Sequence, residues 1–212
     1  MELFRIRSQS RSWNFDRTRD LWPLVLLMGV AMLGIISRLA IDIPNFKPIG
    51  AIAVFSGLIL RDWRMALCLP LFVLAGSDLV LGQPETGLAI SVYAVTAISV
   101  LIGHKLRIHM PTGFIQQLGA GVLAFLASSL VFFVFSNAAV WLTTDWYTHD
   151  VNGLSLCFVN AIPFFRFTIF ADLVFGFLPF AGLVLASRIV AAKKTSLLPP
   201  VSNKNAESAM HA

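Results

Sequence analysis

The stretch from Leu118 to Leu142, which contains no charged side chain, most constrains what this chain can fold into. It exceeds the roughly 20 residues that a helix needs to cross the hydrocarbon core of a bilayer. Lipid offers no partner to backbone amides, so the stretch predicts a helix that satisfies its own hydrogen bonds. Composition agrees, because 57% of the 212 residues are hydrophobic and only 13% are charged. A soluble domain carries about twice that share of charge.

Five further apolar stretches predict an all-α membrane protein, a six-transmembrane-helix bundle over residues 21–187. The predicted spans are Leu21–Ser37, Ile49–Leu60, Met65–Gly82, Leu88–Gly103, Leu118–Leu142 and Phe167–Ser187. The second is too short to cross a membrane unless the bilayer thins or the preceding loop contributes. Residues 1–20 are predicted to form a basic N-terminal tail, and residues 188–212 a disordered tail. The longest connection is 143–165.

The basic residues predict which side of the membrane each loop faces. An even number of spans places both termini on one side, which then holds all the basic residues except Arg38, Lys47 and Arg166. Cytoplasmic loops carry such an excess of Lys and Arg. We therefore predict cytoplasmic termini, a multi-pass protein of the bacterial inner membrane surrounded by lipid, and an outer loop at 143–165. The net charge of +5 is explained in this way and does not indicate nucleic-acid binding.

Polar side chains within the spans predict a binding site, because each is costly in hydrocarbon. Five of them are expected within roughly 10 Å of the outer surface, and they are Arg38, Asp78, Asn137, Arg166 and Asp172. Trp141 shares a helix face with Asn137, and Asn45 with Phe46 lies between two prolines at the same surface. Polar groups beside aromatic rings commonly line small-molecule pockets. These eight residues, with Asn160 of the outer loop as part of a lid, predict an outward-facing substrate-binding site.

Other interpretations stay open at this point. The two aspartates can pair with Arg38 and Arg166 and merely hold the helices together, which would make the protein a membrane scaffold or partner subunit. The outer loop can be an interfacial helix lying on the lipid headgroups. An intramembrane enzyme is a third alternative, but no nucleotide-binding or hydrolase motif occurs. We expect no enzymatic activity, no cofactor and no bound metal, since His104 and His109 are wrongly spaced to share an ion.

Four segments together resemble a family of uncharacterised bacterial membrane proteins. They are Pro44–Ala51, Ser77–Gly82, Asn137 with Trp141, and Ile162–Arg166 leading to Asp172. That family is similar, in size, six spans and an outward-facing site, to the substrate-binding S-components of energy-coupling-factor transporters. The resemblance implies an S-component-like fold and uptake of a vitamin-like micronutrient. It also implies a separate transmembrane coupling subunit with ATPases.

One departure from the S-component pattern concerns the first span. S-components carry small residues four apart there to dock the coupling subunit, and Gly29–Gly34 contains no such pair. The resemblance therefore leaves open whether this protein acts alone. Some S-component-like proteins that act alone transport cobalamin with a cysteine as cobalt ligand. Cys157 is the only cysteine predicted on the outer side, so a cobalamin-like ligand is also compatible with the resemblance.

Overall fold

The computed structural model describes residues 22–40, 46, 48–82 and 85–196, and within these ranges the protein is all-helical. Its α-helices are α1 (Trp22–Ala40), α2 (Ile49–Ile59), α3 (Trp63–Leu81), α4 (Thr86–Ile108), α5 (Phe114–Thr143), α6 (Val151–Asp172) and α7 (Leu178–Ser196). A π-helical turn, Leu173–Phe177, joins α6 to α7. The predicted N-terminal tail lies outside the described residues. The predicted C-terminal tail is wrong in its first part, because α7 continues to Ser196.

Four helices of the described chain are long and apolar enough to cross a membrane, as the sequence predicts for a membrane protein. They are Trp63–Leu81, Thr86–Ile108, Phe114–Thr143 and the continuous Val151–Val190. Their outward faces carry large exposed hydrophobic side chains such as Phe72, Leu79 and Leu123. Exposed apolar surface on this scale suits contact with lipid rather than with water.

Successive helices from α1 to α6 run antiparallel and α7 continues in the direction of α6, so the bundle has two distinct ends. At one end, which we call the Asp78 end, α1 and α3 finish and α4 begins, and Arg38, Asp78 and Tyr93 meet. At the other end, the Arg188 end, α4 finishes and α5 begins. There Arg188 donates a hydrogen bond to Gln117 Oε1 at 3.0 Å, which ties α7 to the start of α5.

The short helix α2 forms the centre of the bundle. It is apolar on every side, and all but one of its 11 residues are buried. Two glycines let its backbone touch that of α4: a Cβ on Gly103 would lie 1.9 Å from the Val54 carbonyl oxygen, and one on Gly57 would lie 2.1 Å from that of Val100. The small-residue spacing of Ala53 and Gly57 therefore serves packing within the chain. At about 16 Å, α2 extends through only about half of a hydrocarbon core.

The predicted outer loop at 143–165 is mostly wrong, because α6 already begins at Val151. Only residues 144–150 form a connection. Asn152, Asn160 and Pro163 interrupt the apolar pattern of this segment, but α6 packs its aromatic face on α5. The Phe133 ring lies 5.6 Å from that of Phe158 and 4.6 Å from that of Phe165 between centroids. Packing between helices therefore overrides the weak helical signal of this segment.

Asp150 caps the N-terminus of α6, so replacing it tests whether α6 begins at Val151. Its carboxylate accepts from the Gly153 amide at 2.7 Å and from Thr148 Oγ1 at 2.9 Å, and these bonds hold its pKa below the ordinary 3.8. A carboxylate whose pKa is lower in the folded than in the unfolded protein stabilises the fold at any pH above its unfolded-state pKa. That stabilisation disappears as the pH falls through its folded-state pKa. We expect Asp150→Ala to lower the melting temperature at neutral pH, and the difference from wild type to shrink at acidic pH, as the pH falls below 3.8.

The control for this prediction is Asp145→Ala, which removes an exposed carboxylate from the same connection. It should leave the melting temperature nearly unchanged at both pH values. An equal loss in the two variants would show that the charge of the connection, and not the cap of α6, is responsible.

Candidate functional site

Asp172 is the most deeply buried charged side chain of the described residues, with 1% of its surface exposed. Its Oδ1 accepts a hydrogen bond from the Ala51 amide at 2.8 Å, and its Oδ2 accepts one from Ser129 Oγ at 2.7 Å. Ala51 lies in the first turn of α2, where amides lack acceptors within the helix. Asp172 therefore caps α2 from a different helix.

Gly50 makes this cap sterically possible. A Cβ at this position would lie 2.9 Å from both Asp172 Oδ2 and Ser128 Oγ. No side chain therefore separates the carboxylate from the first turn of α2. Ser128 extends the polar contact by donating to Ser99 Oγ at 2.8 Å.

The depth of Asp172 differs from the prediction. The sequence places it within about 10 Å of one surface, six residues into a span. In the structure it lies near the middle of the continuous helix Val151–Val190, level with Ser99 near the middle of α4. The error follows directly from the missed helix α6. The start of α2 lies at the same middle depth, because Asp172 binds it.

A second polar cluster lies at the Asp78 end. Arg38 Nη2 is 2.5 Å from Asp78 Oδ1, and Tyr93 donates its hydroxyl to Asp78 Oδ2 at 3.2 Å. The side chains of Arg38 and Asp78 are 11% and 9% exposed, so the ion pair is largely shielded. Arg38 Nε and Ser37 Oγ are also buried, and neither has a hydrogen-bond partner in the described part of the chain. Two donors are thus held out of solvent without an acceptor.

Of the two ion pairs weighed from the sequence, the structure contains one. Arg38 pairs with Asp78, whereas Arg166 does not pair with Asp172. Arg166 is exposed within α6, and its guanidinium lies 4.8 Å from the centroid of the Phe167 ring.

Three of the predicted site residues lie along the α5–α6 hairpin, away from both clusters. Asn137 donates its side-chain amide to a carbonyl of its own helix, one turn earlier. Trp141 donates its indole N–H to the Thr148 carbonyl at 2.9 Å. The Asn160 amide is 3.4 Å from the Tyr147 hydroxyl. The contacts of Trp141 and Asn160 fasten the connection at 144–150 to the two helices.

Phe46 lies beside the π turn that follows Asp172. Its ring centroid is 6.1 Å from that of Phe170 and 5.9 Å from that of Phe175. Its predicted neighbour Asn45 lies outside the described residues. Of the predicted aromatic residues, Phe46 is thus the one that contacts the segment containing Asp172.

Cys157 is buried between α5 and α6, and its thiol lies 3.4 Å from the Asn137 carbonyl oxygen. In this position it packs between helices and does not face an open surface. Within the described residues there is no group of three or more His, Cys, Asp or Glu side chains that could hold a metal ion.

Sequence reasoning missed Ser99, Ser128, Ser129 and Tyr93, and it missed the part that Gly50 plays. A single serine in an apolar span does not indicate a site, because its hydroxyl can donate to a backbone carbonyl of its own helix. The usable signal was the adjacent pair Ser128 and Ser129 at the centre of a stretch that is otherwise almost entirely apolar.

A family model matches residues 18–196, which include both clusters and every described helix. The chain belongs to DUF6580. DUF6580 is described as a family of unknown function, which agrees with the predicted membership of an uncharacterised family. No curated protein and no solved structure matches this DUF6580 chain. Its function has therefore to be inferred from the two clusters themselves.

Proposed function

We propose that this protein is a membrane substrate-binding subunit for uptake of a small molecule. The observation that supports this most is the start of α2 at the middle depth of the bundle, next to Asp172. Transporters use such half-length helices, because their N-terminal amides can bind polar groups of a substrate near the bilayer midplane. A bundle that serves only as a scaffold has no need to interrupt a helix inside the membrane.

The substrate site in this proposal lies between the start of α2 and the Asp78 end. A Cβ on Gly34 would lie 2.1 Å from Ile52 Cδ1, so this face of α1 rests on the first turns of α2. Ser37 follows on the same buried face one turn later, beyond the start of α2, and Arg38 is next to it. Their unpartnered donors each carry a penalty of about 1–3 kcal/mol, which a ligand oxygen would remove. We therefore propose a substrate with a carbonyl or carboxylate group.

The experiment is a thermal-shift and native mass-spectrometry screen of the purified protein. Vitamins and precursors with a carboxylate are compared with their amides and esters, in wild type, Ser37→Ala and Arg38→Lys. A binding subunit should be stabilised by at least one carboxylate compound, and both variants should weaken that effect by about tenfold. The control is Ser187→Ala, whose hydroxyl bonds to the Val184 carbonyl. A wild type that neither binds any compound nor retains one on purification would refute the proposal.

The topology belongs to the same proposal. The four long helices, together with α1 and the half-length α2, give six membrane segments with both termini in the cytoplasm of a bacterial cell. Reporter fusions at Ala212 and Glu85 are expected to report opposite sides of the inner membrane. An extracytoplasmic signal at Ala212 would contradict this arrangement.

The resemblance to S-components supports a vitamin-like micronutrient as the substrate and a coupling subunit with ATPases as the partner. Cys157 bonds within the α5–α6 interface, so a cobalamin-like ligand with this thiol on cobalt would require α6 to move. The partner can be tested separately from the substrate. The tagged protein is purified from its native host, and the proposal expects ATPases to copurify with it.

A membrane scaffold is the second candidate, and one observation favours it. Arg38 is paired with Asp78, and both oxygens of Asp172 bind groups of the protein. A scaffold predicts that Ser37→Ala raises thermal stability, because it removes an unpartnered buried hydroxyl, and that no small molecule shifts the melting temperature.

A further inference from the structure

Among the described residues, the surroundings of Asp172 contain hydrogen-bond donors but no cation. The two donors that reach its oxygens, the Ala51 amide and the Ser129 hydroxyl, are both uncharged. An isolated carboxylate in an apolar interior carries a large desolvation penalty. The first turn of α2 offsets part of this penalty, because a helix N-terminus is equivalent to roughly half a positive charge.

The elements packed against Asp172 bring no described ionisable group toward it. Neither α2, α5 nor the π turn contains an ionisable side chain. On α1, Arg38 is paired with Asp78, and on α7, Arg188 is bound to Gln117 at the Arg188 end. On α6 itself, Arg166 is exposed and Cys157 contacts α5. Lys193 and Lys194 follow Arg188, and Lys47 lies outside the described residues.

We propose that Asp172 is a proton-binding site at the middle of the membrane and that its protonation loosens the first turn of α2. One proton adds to a carboxylate oxygen, the charge of the site changes by one, and no other covalent bond forms or breaks. The ionised group attracts the N-terminus of α2, and the neutral acid has lost that attraction. Ionisable groups at this depth are typical of proton pathways in transporters.

The π turn gives α6 a means to respond to protonation of Asp172. It begins at Leu173, directly after Asp172, and π-helical turns often occur at functional sites. Phe46 rests on Phe170, which precedes this turn, and on Phe175, which lies within it, so movement of α2 and movement of the turn are linked through that contact. Use of this proton for substrate uptake rests on the proposed function, whereas proton binding itself does not.

Infrared difference spectroscopy on the full-length protein in liposomes tests proton binding. Spectra are recorded without substrate between about pH 4 and 9, where an aspartate can titrate. Wild type should show a carboxylic-acid carbonyl band that appears on acidification and is missing in Asp172→Asn. Asp150→Asn, at an exposed cap, should retain that band. Identical difference spectra for wild type and Asp172→Asn would overturn the proposal.

Hydrogen–deuterium exchange of the peptide covering residues 49–55 tests the response of α2. After correction for intrinsic rates, exchange in wild type should accelerate by about tenfold on acidification, as expected when a hydrogen bond to a charged group is weakened. Asp172→Asn should exchange fast at every pH. If that variant does not fold, the wild-type series alone decides, because protection that does not change with pH would overturn the link. Neither result depends on whether a substrate is found, so this proposal can fail while the proposed function stands.

Discussion

Gly103→Ala is expected to destabilise the protein by about 2 kcal/mol or more, although it adds a single methyl group. The new Cβ would lie 1.9 Å from the Val54 carbonyl oxygen and 2.8 Å from the carbonyl carbon. Both are backbone atoms of α2, so no side-chain rotation can relieve the clash. The central helix would have to move away from α4, and with it the amide that Asp172 caps.

Gly182→Ala is the matched control, because it makes the same change in α7 at a position with open space around the new Cβ. Alanine is the better helix former by roughly 1 kcal/mol, so this variant should be unchanged or slightly more stable. Melting temperatures in one detergent and at one scan rate make the comparison. Equal shifts in the two variants would mean that α2 and α4 do not touch through their backbones in the native protein.

The sequence predicts the helices of this bundle well wherever lipid alone decides them. The first five predicted spans overlap α1 to α5, because a long apolar stretch in a bilayer has no alternative to a helix. The segment at 151–165 fails for the opposite reason. Its polar residues and Pro163 weaken the local signal, and the aromatic contacts that hold it as a helix come from Phe133, distant in sequence.

The same contrast, between local sequence signals and contacts made by residues distant in sequence, explains how much of the site could be predicted. An arginine and an aspartate near the same ends of neighbouring spans predict an ion pair, and Arg38 with Asp78 forms one. The principal partner of Asp172 is a backbone amide, that of Ala51, and backbone amides carry no sequence signature. Only the packing of α2 against the turn after α6 decides which amide it is. Buried carboxylates and their charged partners can thus be found from sequence, but a backbone partner cannot.

Asp78→Asn is expected to cost about 3–5 kcal/mol, because it leaves the charge of Arg38 uncompensated in a largely buried position. The same change weakens the acceptor of the Tyr93 hydroxyl. Thermal or denaturant unfolding in detergent measures the loss. Asp62→Asn is a matched control, since Asp62 is an exposed aspartate whose side chain accepts from the Arg64 amide at the start of α3. A loss no larger than in this control would show that the ion pair is exposed to water.

Replacing both partners, with Arg38→Met and Asp78→Leu together, is expected to restore most of that stability. Apolar residues of similar volume often substitute for a buried ion pair without loss. This double variant also separates the two candidate functions. A scaffold that needs the pair only for cohesion should keep its assembly and cellular level. A binding subunit that uses Arg38 Nε for a substrate oxygen should remain folded and yet lose both substrate retention and the ligand-dependent rise in melting temperature. A folded double variant that still binds substrate as wild type does would remove Arg38 from the site.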